Sequence, residues 1–269
     1  MAFAQSDGAR IYYEVHGEGP AVLFVHGSGG HHAAWWQQTP HFARAHRVIT
    51  LDLRGFGNSS CENADYDSLA FPADIVAVLD DAAIARAVLV GQSIGAAAAL
   101  KVAVSHPGRV AGVVLAHSLG GIDHDDLAAL VRADRAEAEM LPVIDRLMSR
   151  TFQEAQPEKT FLFRQMGTFN AAKMADLRNL SVGGPTLAAL EQAGVPVCFI
   201  AGEADAVLRP ATVRRAHELV KGSVLDVVPG APHSMYWEAP DLFNAAVERF
   251  LTTVNDSGAD RKELDATRT

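Results

Sequence analysis

Ala87-Val88-Leu89-Val90-Gly91-Gln92-Ser93-Ile94-Gly95-Ala96-Ala97-Ala98-Ala99-Leu100 is the stretch that decides the fold. The four apolar residues before Gly91 read as a buried strand, and the alanine-rich run from Ile94 reads as a helix. A bare G-x-S-x-G pattern is loose, because small residues are common. The context makes it specific. A strand that turns at once into a helix must bend sharply at the serine, and Gly91 and Gly95 leave room for strand and helix to pack closely. The Ser93 hydroxyl is then held above a sheet edge, at the positive end of a helix, where a nucleophile is wanted.

Outward from this point the same rhythm repeats. Ala21 to Val25, Val48 to Leu51, Val110 to Ala116, Val195 to Ile200 and Val224 to Val228 read as further buried strands. Between and after them lie helical patterns at His32 to Ala45, Leu69 to Ala83, Ile94 to His106, Ala211 to Val220 and Pro240 to Val254. Near-continuous apolar strands separated by helices predict a parallel sheet covered on both faces, an α/β fold. Residues 9 to 15 read as an antiparallel strand at the edge. From Gly120 to Ala193 no strand is legible, and apolar residues such as Leu141, Ile144, Leu147 and Met148 recur at helical spacing. The expected organisation is a core of residues 1–119 and 194–254, a helical cap of residues 120–193, and a polar, disordered tail of residues 255–269.

A chain of 269 residues buries enough surface to need no disulfides, and its two cysteines suggest neither a disulfide framework nor a metal site. The formal net charge of −9 argues against nucleic acid or an anionic membrane as partner. The first residues lack a basic segment followed by an apolar core, so a cytoplasmic location is expected, and no transmembrane run is seen. Oligomeric state is not legible. Neither a G-x-G-x-x-G spacing nor a phosphate-binding loop is present, and no cofactor or metal is expected.

A serine hydroxyl needs a base, and that base works best as a histidine held by a carboxylate. Glu203 and Asp205 follow one late strand, and His233 follows the next. Each lies past a strand end, where open α/β sheets place their sites. The order Ser93, acid, His233 is that of the α/β-hydrolase fold.

Here the chain resembles the α/β-hydrolase superfamily over nearly its whole ordered length. The matching segments are His26-Gly27, Asp52-Leu53-Arg54-Gly55-Phe56-Gly57-Asn58-Ser59, the serine turn, Gly202-Glu203-Ala204-Asp205 and Gly230-Ala231-Pro232-His233. The resemblance implies a mostly parallel eight-stranded sheet with an all-helical cap inserted after strand six. It places the acid at Asp205 rather than Glu203, with Pro210 following, and the base at His233. The oxyanion would be met by the amide of Ile94, which follows the nucleophile, and, by resemblance, that of Ser28, with Gly29 second. Relatives with an aspartate at the turn form alkyl esters; a serine implies acyl transfer. Asp52 is expected to organise its turn together with Arg54.

The expected pocket is largely apolar, with Gly29, His31, His32, Trp36, His117, Phe163 and Trp237 as candidate lining residues. The tryptophans fit packing equally well. Arg164 or Arg178 on the cap could meet a carboxylate. The expected function is hydrolysis of a small carboxylic ester or lactone, as in the esterases and enol-lactonases this chain is similar to. Hydrolysis of a carbon–carbon bond in a ring-cleavage product is an alternative, and so is a slow-turnover ligand receptor of the same fold.

Overall fold

The computed structural model describes residues 1–266, with side chains through residue 254. Nine strands form one sheet: β1 (Ala2–Ser6), β2 (Ala9–His16), β3 (Ala21–Val25), β4 (Arg47–Leu51), β5 (Ser60–Cys61), β6 (Ala87–Gln92), β7 (Val110–Ala116), β8 (Val197–Gly202) and β9 (Val224–Val228). The spatial order is β1-β2-β4-β3-β6-β7-β8-β9, with the two-residue β5 added beside β2. β1, β2 and β4 pair antiparallel, and every pair from β4 onward to β9 is parallel. The sheet is thus the expected eight strands plus a short edge strand.

Side chains alternate across a strand, and here the alternation sorts them into two apolar clusters. Leu23 and Val25, Leu89, Val113 and Leu115, and Phe199 lie in one; Val22 and Phe24, Val88 and Val90, Val114, and Ile200 lie in the other. Helices Phe71–Asp81 and Ile94–Ser105 cover the first cluster. Helices Gln38–Phe42 and Pro240–Ala266 cover the second. Both faces being buried is why these strands are apolar throughout rather than alternating.

Between β7 and β8 there is no strand among the described residues, only the isolated bridge Asp67–Arg178. Helix Asp125–Ala138 packs on helix Pro210–Leu219, and Leu187–Ala193 packs on Ile94–Ser105. In the middle of the insertion, helices Val143–Leu147 and Pro157–Met166 stand over the strand ends that carry Ser93 and His233. The insertion follows the sixth strand of the eight-stranded path.

The stretch expected as one helix from His32 to Ala45 is a short 3-10 turn, His32–Trp35, followed by the five-residue helix Gln38–Phe42. The final helix extends to Ala266, through part of the segment expected to be a disordered tail; residues 267–269 lie outside the described residues. No described helix is long and apolar enough to cross a membrane.

Candidate active site

The parallel register brings five strand ends to one edge. Val25 pairs with Gly91, Gln92 with Ala116, Ala116 with Ile200, and Gly202 with Val228. The loops that follow carry Ser28, Ser93, His117, Asp205 and His233.

Ser93 sits between β6 and helix Ile94–Ser105 with φ 52° and ψ −115°. A non-glycine residue in that region is strained, by about 1–3 kcal/mol, and must be over-determined by its surroundings. The surroundings are visible. A Cβ on Gly91 would meet Ala96 Cα at 2.4 Å, and one on Gly95 would meet the Val25 carbonyl oxygen at 2.4 Å. Only glycine permits either approach, and the Ser93 amide is tied across the sheet to Ala116 O at 3.1 Å. The Ser93 hydroxyl itself makes no hydrogen bond among the described residues and faces a cavity of about 490 Å³.

His233, at 4% exposure, lines the same cavity. Its Nδ1 lies 2.9 Å from Asp205 Oδ2 and 3.1 Å from Oδ1. Asp205 is buried and accepts three further donors: the amides of Val207 (2.8 Å) and Leu208 (3.0 Å) at Oδ1, and His117 Nδ1 (3.0 Å) at Oδ2. Burial alone would raise the Asp205 pKa. The charge of His233 and the hydrogen bonds from His117 and His233 outweigh it and hold the carboxyl well below the usual carboxylate range. Glu203 is exposed and accepts only the Gly230 amide, at 3.1 Å.

The loop after β3 supplies amides to the cavity. Ser28 and Gly29 line it, and the amides of Ser28, Gly29 and Ile94 donate to nothing among the described residues. The loop is anchored at both ends. His26 Nδ1 bonds Gly27 O at 2.7 Å, and its Nε2 accepts the Leu53 amide at 3.0 Å. Asp52 Oδ1 receives the His32 amide and, at 2.8 Å, His32 Nδ1, while Oδ2 receives the Asn58 amide at 2.8 Å. Burial opposes charge on both partners, yet their mutual hydrogen bond and attraction raise the His32 pKa and lower that of Asp52. Arg54 turns away from Asp52 and pairs through two bonds with the buried Asp74, so the expected Asp52–Arg54 partnership does not form.

Of the candidate pocket residues, the structure puts Gly29 and Phe163 on the cavity wall and the others elsewhere. His32 is held by Asp52. His31 is buried beside it, its Nδ1 receiving the Ala33 amide at 3.3 Å. Trp36 is 42% exposed and packs edge-on to Trp237, which is fully buried and supports Phe163 from behind, with ring centroids 5.3 Å apart. His117 is buried against Asp205. The walls that sequence reasoning missed include Gln92, Tyr236 and, from the cap, Val143, Ile144 and Leu147. The helical spacing of Ile144 and Leu147 marked a helix face without saying what it faced. Of the two cap arginines, Arg178 pairs with Asp65 and Asp67 away from the site, and Arg164 lines the cavity.

Two histidine–carboxylate groupings, His31-His32-Asp52 and His117-Asp205-His233, have metal-compatible separations among the described residues, which the sequence had not suggested. Asp205 already receives both His117 and His233, and Asp52 receives His32, while His31 makes no bond to Asp52.

The sequence profile of the alpha/beta hydrolase family matches residues 22–246. A protein of Mycobacterium tuberculosis described as uncharacterised is 29% identical over 99% of this chain and 85% of its own length. The 3-oxoadipate enol-lactonase 2 of Acinetobacter baylyi is 28% identical over 88% of this chain and 90% of its own. A thermophilic esterase from Thermogutta terrifontis superposes with a TM-score of 0.79 at 23% identity, covering 94% of this chain and 98% of that one. With a family match across more than four-fifths of its length and a serine turn, parallel sheet and strand-end loops arranged as described, the chain belongs to the alpha/beta hydrolase family.

Proposed function

We propose that this protein is a serine hydrolase that cleaves a small carboxylic ester or lactone through an acyl-enzyme on Ser93. The observation that carries the reading is the pairing of His233 Nδ1 with a buried Asp205, at the wall of the cavity into which the strained Ser93 opens. An ionised carboxylate only accepts, so His233 keeps its proton on Nδ1 and a lone pair on Nε2. As Ser93 Oγ bonds to the substrate carbonyl carbon, Nε2 takes the hydroxyl proton and the carbonyl electron pair moves onto oxygen. The Ile94 and Ser28 amides meet that oxyanion. Collapse expels the alkoxide, which takes the proton from Nε2 and leaves Ser93 acylated. Water then gives a proton to Nε2 as it adds to the acyl carbon, and the second collapse returns that proton to Ser93 Oγ and frees the acid. In a lactone the alkoxide stays tethered, and the product is a hydroxy acid.

The cap supplies the walls of the substrate site. Val143, Ile144, Leu147 and Phe163 are apolar, and Arg164 is the cation among them. Arg164 lies outside salt-bridge distance of Asp145 but within reach of its field, and Asp145 is itself held by Arg150 and Gln153. No Asp or Glu lines the cavity. A substrate with an apolar body and an anionic end away from the scissile bond fits such walls. The enol-lactonase name of one relative supports an ester or lactone as substrate.

Incubation with a fluorophosphonate, followed by peptide mass spectrometry, should place the adduct on Ser93. Labelling of another residue, or none on folded protein, would overturn the assignment. Turnover on a panel of aryl esters, lactones and ring-cleavage dienoates then separates ester hydrolysis from carbon–carbon cleavage and from a receptor with negligible turnover.

A further inference from the structure

His117 is an unusual residue to find at the end of a central strand. It directly follows β7, its backbone lies in the left-handed region at φ 53°, and its amide is fixed to Ile200 O at 2.8 Å. Its side chain is fully buried and forms no part of the cavity. The ring stands edge-on to His233, with centroids 5.6 Å apart, and Nδ1 lies 3.0 Å from Asp205 Oδ2. The opposite nitrogen, Nε2, is buried with no partner among the described residues.

These facts fix the protonation of the ring. Asp205 Oδ2 can only accept, so the proton sits on Nδ1 and the unpartnered Nε2 carries the lone pair. Burial lowers the His117 pKa against the opposing pull of Asp205, which keeps the ring neutral. Asp205 therefore has an asymmetric set of donors. Oδ1 is pinned by two backbone amides and lies 3.1 Å from His233 Nδ1, slightly farther than Oδ2 does. Oδ2 receives only His233 and His117. Since His233 must itself be oriented by this oxygen, His117 is the independent donor that fixes where Oδ2 points.

We propose that His117 is a positioning residue: a neutral second imidazole that locks the Asp205 carboxylate so that Oδ2 orients His233. The inference rests on the proposed roles of Ser93, Asp205 and His233. Because His117 does not reach the cavity, its loss should lower kcat and leave KM unchanged. A neutral donor also draws on the carboxylate's charge, so its removal leaves a stronger negative field at His233. The rising limb of kcat/KM against pH should then move to higher pH.

Three variants separate positioning from packing. His117→Asn places an amide nitrogen where Nδ1 stood and belongs to the residue types that tolerate a left-handed backbone. His117→Leu keeps more volume but no donor. His117→Gly accepts the backbone angle without strain and has no donor. Positioning ranks Asn above Leu and Gly; packing ranks Leu above Asn and Gly. We expect Asn to stay within about threefold of wild type, and Leu and Gly to lose about tenfold or more in kcat, as for a lost hydrogen bond to a charged group. The same order should hold for the rate of Ser93 phosphonylation by a fluorophosphonate. If Leu fails to fold, the pH limb still decides, because lost packing lowers the rate without moving the limb, whereas positioning predicts a limb shifted in Gly and unshifted in Asn. Wild-type kcat and pH limb in the Gly variant, or an Asn variant as impaired as Gly, would overturn the inference alone. A wild-type protein that is never phosphonylated on Ser93 would overturn the proposed function as well.

Discussion

Replacing Asp205 by asparagine should reduce kcat by roughly a thousandfold to ten-thousandfold, about 4–5.5 kcal/mol at 1.4 kcal/mol per decade. The reason can be traced atom by atom. Asparagine has one acceptor oxygen where aspartate has two. The Val207 and Leu208 amides at Oδ1 are backbone donors that cannot reverse, so the asparagine oxygen must face them. Its NH2 then faces the Nδ1 atoms of His233 and His117. Both imidazoles must present lone pairs there, which moves the His233 proton to Nε2, the nitrogen needed to accept the Ser93 proton. The variant keeps its shape and loses its base. The assay is kcat and kcat/KM on p-nitrophenyl acetate, with thermal unfolding to show that the variant is folded. Glu203→Gln serves as the comparison. Glu203 is exposed and only steadies the Gly230 amide, so a loss within about threefold is expected, as for a change at a solvated loop. A folded Asp205→Asn variant retaining more than a tenth of wild-type kcat, or a Glu203→Gln loss of similar size, would refute the argument.

Two further predictions concern the loop after β3 and the cap helix Pro157–Met166. Burial pushes the His26 pKa down to about 4, against an unfolded value near 6.5, so the unfolded chain binds the proton first. The His26 contribution is fully present above about pH 6.5 and is lost as pH falls from there toward 4, by about 3 kcal/mol in all. Urea unfolding at pH 7.5 and 5 should show His26→Ala less stable by about 2 kcal/mol at the higher pH, because the Leu53 amide loses its acceptor, and less sensitive to acid than wild type; an equal acid dependence would refute it. Arg164→Gln should lower kcat/KM for a succinate half-ester by about tenfold, as for a lost charge-assisted bond, while sparing the matching neutral ester. Equal losses on both would show that Arg164 does not read charge.

The central strands were legible because burial on both faces leaves a continuous apolar run; β3 and β7 begin and end where the sequence places them, and so does the half-buried edge strand β9. β1 was not, because Ala2-Phe3-Ala4-Gln5-Ser6 pairs on one side only and carries little β propensity. The single helix expected over His32 to Ala45 failed for a tertiary reason. Asp52 captures both the amide and the ring of His32, holding the entry of that segment, while Trp35 turns under Phe24 and Phe42 to fill the core and Trp36 is left at the surface. Neighbouring tryptophans with opposite fates cannot be separated by composition.

The histidines show where a sequence reading stops. Eleven are present, and residue type alone does not sort them. His233 could be singled out because its own segment carries a recognisable pattern after a strand. His117 could not, because its meaning lies in a partner 88 residues away. The missing information is sheet order. Once β7 and β8 are known to be parallel neighbours, with Ala116 beside Ile200, the residue after β7 must lie beside the loop after β8. That loop holds Asp205, and the loop after β9, the next strand over, holds His233. A carboxylate on the middle of three adjacent parallel strands can therefore receive an imidazole from each side. The donor on the β9 side reaches the cavity, where the proposed mechanism has it move protons. The donor on the β7 side is enclosed by the sheet and is left to hold the carboxylate still.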